Sequence, residues 1–179
     1  MKKIAFLFSK AFFWGFALFS AFILLFSVLS YLKYYFNWAI PFVEITERNA
    51  KNYAIIRPPF VGVIVEFLMS YTIIIMWFTF IYYSIYFYVL QSFFEIFIAE
   101  KTFKSKSMEK LTNFYKLNYV PVIVGIVGII LRYSISDDLS FNEPHFFVLI
   151  HLIIAFFLYF YLDLIKKGNT IQQENDLTI

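Results

Sequence analysis

Four long stretches of this chain carry almost no charge. Between Lys10 and Lys33 lie 22 uncharged residues, and between Glu66 and Glu95 lie 28 more. A third stretch, Leu117 to Ser136, is interrupted by Arg132, and a fourth, Pro144 to Leu162, has 19 residues with no charge at all. At about 1.5 Å per helical residue, 22 residues reach about 33 Å, enough for a hydrocarbon core of about 30 Å. Open strands cannot cross lipid with unpaired backbone groups, so helices are the economical reading. The expected fold is all-α: a four-helix integral membrane bundle forming a single domain, with spans near 11–32, 62–92, 117–136 and 144–164. A loop at 95–116 and a tail at 166–179 complete it.

Composition agrees with that reading. The chain is 61% apolar and 15% charged, against roughly 45–50% and about 25% for a soluble domain. The first apolar stretch exceeds the 7–15 residues of a leader's apolar region and lacks a small-x-small cleavage site, so it reads as a retained helix. Cysteine is absent, which excludes disulfides, thiolate metal sites and Cys-based lipidation. With three arginines and two histidines, direct nucleic-acid binding is not expected.

Orientation follows from the basic residues, which concentrate on the cytoplasmic side of membrane proteins. Lys2, Lys3, Lys10, Lys101, Lys104, Lys106, Lys110, Lys116, Lys166 and Lys167 fall on one side; Lys33, Arg48, Lys51, Arg57 and Arg132 fall on the other. Ten against five places both termini in the cytoplasm. Abundant Phe, Ile, Tyr, Lys and Asn suggest an AT-rich bacterial genome, hence a multi-pass protein of the bacterial cytoplasmic (inner) membrane.

The first external loop, Lys33 to Pro59, has Tyr34, Tyr35 and Trp38 as interfacial anchors. Its segment Phe42-Val43-Glu44-Ile45 fits either a short strand or a surface turn. In the internal loop, Ser105 or Ser107 can cap a helix whose apolar positions are Met108, Leu111 and Phe114 or Tyr115. That helix runs into the third span, giving one helix over about 107–135, kinked at Pro121.

Ionisable residues inside a membrane are the first place to look for function. Counting from the span ends puts Glu66, Arg132 and His151 at similar depths on the outer side. They form a candidate intramembrane polar cluster with a Glu66–Arg132 ion pair. The plainer alternative is that Glu66 and Arg132 snorkel at the interface while His151 bonds a neighbour. His145 and His151, six apart, face different directions, and no HExxH spacing accompanies them, so no metal site is expected. Asp137, Asp138 and Glu143 read as a solvated loop. Gly125 and Gly128 permit close helix approach, within the bundle or in a homo-oligomer. No phosphate loop, nucleophile elbow or paired catalytic carboxylates occur, so no enzymatic activity and no cofactor are expected.

After the fourth span, Lys166 and Lys167 precede Gly168, a natural helix stop. Gly168, Ile171, Gln172, Glu174, Asn175, Asp176, Leu177, Thr178 and Ile179 resemble the closing segment of a bacterial four-helix membrane family catalogued as "domain of unknown function 2975". In the internal loop, Phe103 and Leu111 match the family pattern, whereas Glu100, Thr102 and Ser107 depart from it. The family has no established activity. The resemblance implies a membrane partner for a small cytoplasmic helix-turn-helix regulator, with Phe103, Leu111, Asn175, Asp176, Leu177 and Thr178 as contact residues; the alternative for the tail is that it packs under the bundle against the Phe103 helix. The chain is therefore expected to be a non-enzymatic scaffold or sensor. The alternative is a small transporter or channel subunit using the polar cluster.

Overall fold

A computed structural model describes residues 2–58, 62–96, 98, 105–136 and 143–177. The elements run α1 (Lys2–Phe36), β1 (Val43–Arg48), β2 (Lys51–Ile56), β3 (Val65–Leu68), α2 (Thr72–Ile96), α3 (Ser105–Leu117), α4 (Tyr119–Ser136) and α5 (Glu143–Leu177). Four helical segments are long and apolar enough to cross a membrane: Lys2–Phe36, Thr72–Ile96, Ser107–Ser134 and Pro144–Ile171. The chain divides into two compact units, Lys10–Phe87 and the combination of Met1–Ser9 with Tyr88–Ile179.

The first unit corrects the all-α expectation, because a three-stranded antiparallel sheet in the order β1-β2-β3 lies between α1 and α2 in sequence. Helix α1 ends where Asn37 adopts φ 55°, the left-handed conformation that closes helices. Asn49 and Ala50, at φ 51° and 57°, form the two-residue turn joining β1 to β2. Two successive positive φ values match the right-handed twist of the strands. On one sheet face Val43 pairs with Ile56, Ala54 with Phe67, and Ile56 with Val65. That face packs with Ile23, Phe26, Leu29 and Tyr34 of α1 and Ile73, Met76 and Trp77 of α2.

Polar ties secure the same unit. Lys33 Nζ donates to the carbonyl oxygens of Ile40, at 2.8 Å, and Val43, holding the start of the sheet to the last turn of α1. Trp77 Nε1 donates to Ser27 Oγ at 2.7 Å, and the Trp77 ring meets Tyr31 edge-on with centroids 5.3 Å apart.

The second span therefore begins as helix at Thr72, not near 62. Val65, Phe67 and Leu68 flank Glu66 as apolar residues because β3 supplies Phe67 to the core, and a short, mostly apolar run does not distinguish a strand from a helix start.

In the second unit, buried positions on α5 fall at Val148, His151, Ala155, Leu158, Leu162 and Ile165. The alternating spacing of three and four residues makes one continuous seam along a helix. Leu111 and Phe114 of α3 and Val122 of α4 are buried in the same unit, and Phe93 stacks on Phe114. Lys110 pairs with Glu95. Asn118 alone separates α3 from α4. Proline has no N–H to offer the carbonyl four residues earlier; for Pro121 that carbonyl belongs to Leu117, the last residue of α3. The expected kink thus lies just before the proline.

Helix α5 does not stop at Gly168 but continues to Leu177. One interior glycine costs a helix only about 1 kcal/mol, and Thr170 Oγ1 bonds back to the Lys166 carbonyl within this stretch.

Candidate functional site

The most enclosed polar feature among the described residues joins α5 to the α3–α4 break. Asn118 is fully buried and His151 is 4% exposed. Asn118 Nδ2 donates to the Phe114 carbonyl at 2.8 Å, and Asn118 Oδ1 lies 2.9 Å from His151 Nδ1. With its amide nitrogen committed to Phe114, Asn118 presents an acceptor to the ring, so Nδ1 carries the proton and Nε2 the lone pair in the neutral imidazole. The arrangement fixes the orientation of the histidine ring. Asn118 bears no charge, so a site assembled from ionisable residues alone omits it; an amide three residues before a proline in an apolar stretch is the sequence signal that marks it.

The other two members of the expected cluster lie elsewhere. Glu66 sits on β3, outside any helix, and its carboxylate faces the Arg48 guanidinium of β1 at 3.4 Å across the sheet. The side chains of this pair are 41% and 53% exposed. Strand register explains it: Glu44, Ile55 and Glu66 align on the face opposite the core, and Arg57 takes Glu44 at 2.7 Å.

Arg132 is exposed near the far end of α4. Gly125 and Val148 set the level at which α4 meets α5. Arg132 lies seven residues from Gly125 towards one end, and His151 three residues from Val148 towards the other. At 1.5 Å per residue they are separated by about 15 Å along the bundle, so Arg132 and His151 do not share a depth. Counting His151 inward from the start of span four and Arg132 inward from the end of span three misplaces them, because the stagger of α4 and α5 is set by the packing of Gly125 on Val148 and not by where the apolar stretches end.

The expected partner-binding residues also separate. Leu111 is fully buried and serves as a packing residue of α3, out of reach of a docking partner. Asn175, Asp176 and Leu177 occupy the last turn of α5. Phe103 and Thr178 lie outside the described residues, as do Asp137 and Asp138.

A second feature of this unit is a groove of about 830 Å³ beside α5, bordered by Tyr115, Tyr119, Phe156, Tyr159 and Phe160. The hydroxyls of Tyr115 and Tyr119 are hydrogen-bonded to one another. No family model, curated protein or solved structure matches the chain.

Proposed function

We propose that the chain is a multi-pass protein of the bacterial cytoplasmic membrane, with both termini inside, acting as a non-enzymatic scaffold or sensor for a cytoplasmic regulator. The observation that carries this reading is α5, a single helix from Glu143 to Leu177. At about 1.5 Å per residue it is some 50 Å long, well beyond a hydrocarbon core of about 30 Å. Its apolar part would cross the bilayer and its polar part, from Lys166 onward, would project as a rigid rod.

The membrane assignment is supported by apolar side chains left on the outside of the helices, among them Ile123, Val124, Ile130, Phe156 and Phe157, each at least 56% exposed. Water-soluble proteins seldom display apolar surface of that extent. The ten-to-five distribution of basic residues supports the orientation, and the resemblance to the "domain of unknown function 2975" family supports a helix-turn-helix regulator as the partner. By this orientation the β-sheet module faces the outside and the rod faces the regulator. The transporter reading is weaker, because Glu66 lies in an exposed ion pair with Arg48.

The test is affinity purification from native membranes with the full-length chain and a chain lacking residues 168–179. A DNA-binding protein captured by the first and lost with the second is the expected result. Recovery of the same partner without the tail, or of none with either chain, would reject the scaffold reading.

A further inference from the structure

Strand β1 forms one edge of the sheet, and its hydrogen bonds reveal which backbone groups the fold leaves unused. The Arg57 N–H donates to the Phe42 carbonyl at 2.9 Å, and bonded and non-bonded pairs alternate along an antiparallel ladder. Glu44, Thr46 and Arg48 therefore turn their N–H and carbonyl groups towards β2, while Val43, Ile45 and Glu47 turn theirs outward. Val43 is already served: its N–H reaches the Ile40 carbonyl at 3.3 Å and its carbonyl accepts from Lys33 Nζ. Ile45 and Glu47 are exposed, and their outward groups meet no hydrogen-bond partner among the described residues. Such an edge is a template for another strand. The β3 edge is a poorer one, because the strand is shorter and its Leu68 carbonyl is occupied by the Ser70 N–H at 3.0 Å.

One antiparallel register of β1 against a second β1 uses both free residues. Centring the pair on Thr46 sets Ile45 opposite Glu47 of a second copy, and Glu47 opposite Ile45 of that copy. Every unused N–H and carbonyl group on the two edges is then bonded. A register centred on Ile45 would call on Val43, whose groups are taken. One centred on Glu47 would call on Asn49, where the chain turns out of the strand at φ 51°.

Charge agrees with the Thr46 register. It brings Glu44 opposite Arg48 of the second copy and Arg48 opposite Glu44 of that copy, on the sheet face away from the core. Within one copy Arg57 holds Glu44 at 2.7 Å and Arg48 holds Glu66 at 3.4 Å. Across the joint the signs alternate along one row: Arg57, Glu44, then Arg48 and Glu66 of the second copy. Opposite charges directly across a strand pair stabilise it, and like charges oppose it. The Glu47 side chains, on the other face, stand only diagonally to one another, with Cα atoms about 7–8 Å apart.

We propose that two copies of the chain join edge to edge through β1, as a two-fold dimer whose sheets become continuous. The axis is perpendicular to the sheet, so α1 and α2 of both copies, which pack on the core face, lie on the same side of it. The match of Glu44 to Arg48 selects a second copy as the occupant over an unrelated extended peptide, for which the edge offers backbone groups alone. The inference goes beyond the scaffold reading and does not depend on it.

The chain has no cysteine, so a single introduced thiol reports by itself. Thr46→Cys would put two thiols at a non-bonded antiparallel pair, with Cα atoms about 4.5 Å apart, within the range of about 4.4–6.8 Å found in disulfides. The full-length chain is oxidised with copper phenanthroline in intact cells and read on non-reducing gels. The expected result is a disulfide-linked dimer from Thr46→Cys at least fivefold above that from Lys51→Cys, an exposed β2 position that the register sets about 20 Å from its mate. Charge exchange in the Thr46→Cys background tests the register. Glu44→Arg alone and Arg48→Glu alone should each form at least threefold less dimer, since both contacts become repulsive. Co-expressed with different tags, the two variants should give a heterodimer at least fivefold more abundant than either homodimer, because both contacts between them are complementary. Ion pairs lost within each copy are the same in all three species and cannot create that preference. A Thr46→Cys dimer no stronger than the Lys51→Cys one, a heterodimer no more abundant than chance mixing gives, or capture of the thiol by another protein in place of its mate would each overturn the proposal.

Discussion

Asn118 Oδ1 and His151 Nδ1 lie 2.9 Å apart with both residues buried, which ties the break between α3 and α4 to the central seam of α5. Side-chain hydrogen bonds between membrane helices contribute about 0.6 kcal/mol on average and about 1.7 at most. Asn118→Ala and His151→Leu should each lower the unfolding temperature in detergent. Together they should cost less than the sum of the two, because the second substitution removes a group whose partner is already gone. Strict additivity in a thermal double-mutant cycle would show that the contact contributes nothing.

The turn between β1 and β2 places Ala50 at φ 57°. A side chain bearing Cβ is crowded by the following carbonyl there, at a cost of about 1 kcal/mol, and glycine is not. Ala50→Gly should therefore strengthen the hairpin by about 1 kcal/mol. Hydrogen exchange of the β1–β2 amides should slow about fivefold, since RT is about 0.59 kcal/mol and the amides open through the hairpin. Ala50→Pro, which cannot adopt a positive φ, should abolish their protection. Unchanged exchange in the glycine variant would mean that the turn is not strained.

The same turn shows why part of the fold is hidden in the sequence. Asn-Gly between two alternating runs signals a hairpin; here Asn49 is followed by Ala50, and the signal is lost. The long helices are legible because a charge-free run of about 20 residues matches the thickness of a bilayer and little else. Their ends are less so. Val65–Leu68 resembles the start of a helix because β3 is apolar for the sake of the sheet core, although Glu66 within it is already out of place in a membrane span. Gly168 resembles a stop, but propensity at one residue yields to the helix on either side. His151 stands out as a polar residue in an apolar stretch because it can ionise; its partner Asn118 does not, since an amide carries no charge.

Glu66 and Arg48 supply a direct contrast between an exposed ion pair and an intramembrane site. Pairs at this exposure contribute about 0–1 kcal/mol. Glu66→Gln and Arg48→Ala should each shift thermal stability by no more than about 1 kcal/mol, and the shift should shrink in high salt. A loss of several kcal/mol that resists salt would place the carboxylate in a buried cluster.

Gly125 and Gly128 are three residues apart on α4 and differ in what surrounds them. A Cβ on Gly125 would come within 2.3 Å of Val148 Cγ2 and 3.9 Å of the Pro144 carbonyl oxygen, while one on Gly128 would meet nothing within 4 Å. Val148 is buried on α5, and a β-branched side chain in a helix has essentially one χ1 rotamer, so it cannot turn away. Gly125→Ala should force α4 and α5 apart and cost about 1–3 kcal/mol, as overpacking does. Gly128→Ala should be neutral or stabilise by up to about 1 kcal/mol through helix propensity. Val148→Ala removes the obstructing methyls, so combining it with Gly125→Ala should recover most of the loss relative to Gly125→Ala alone. Thermal unfolding of the three single variants and the double in one detergent decides the matter. If Gly128→Ala is the more damaging single substitution, the close approach of α4 is made through Gly128, about 60° round the helix from Gly125, towards a second copy of the chain.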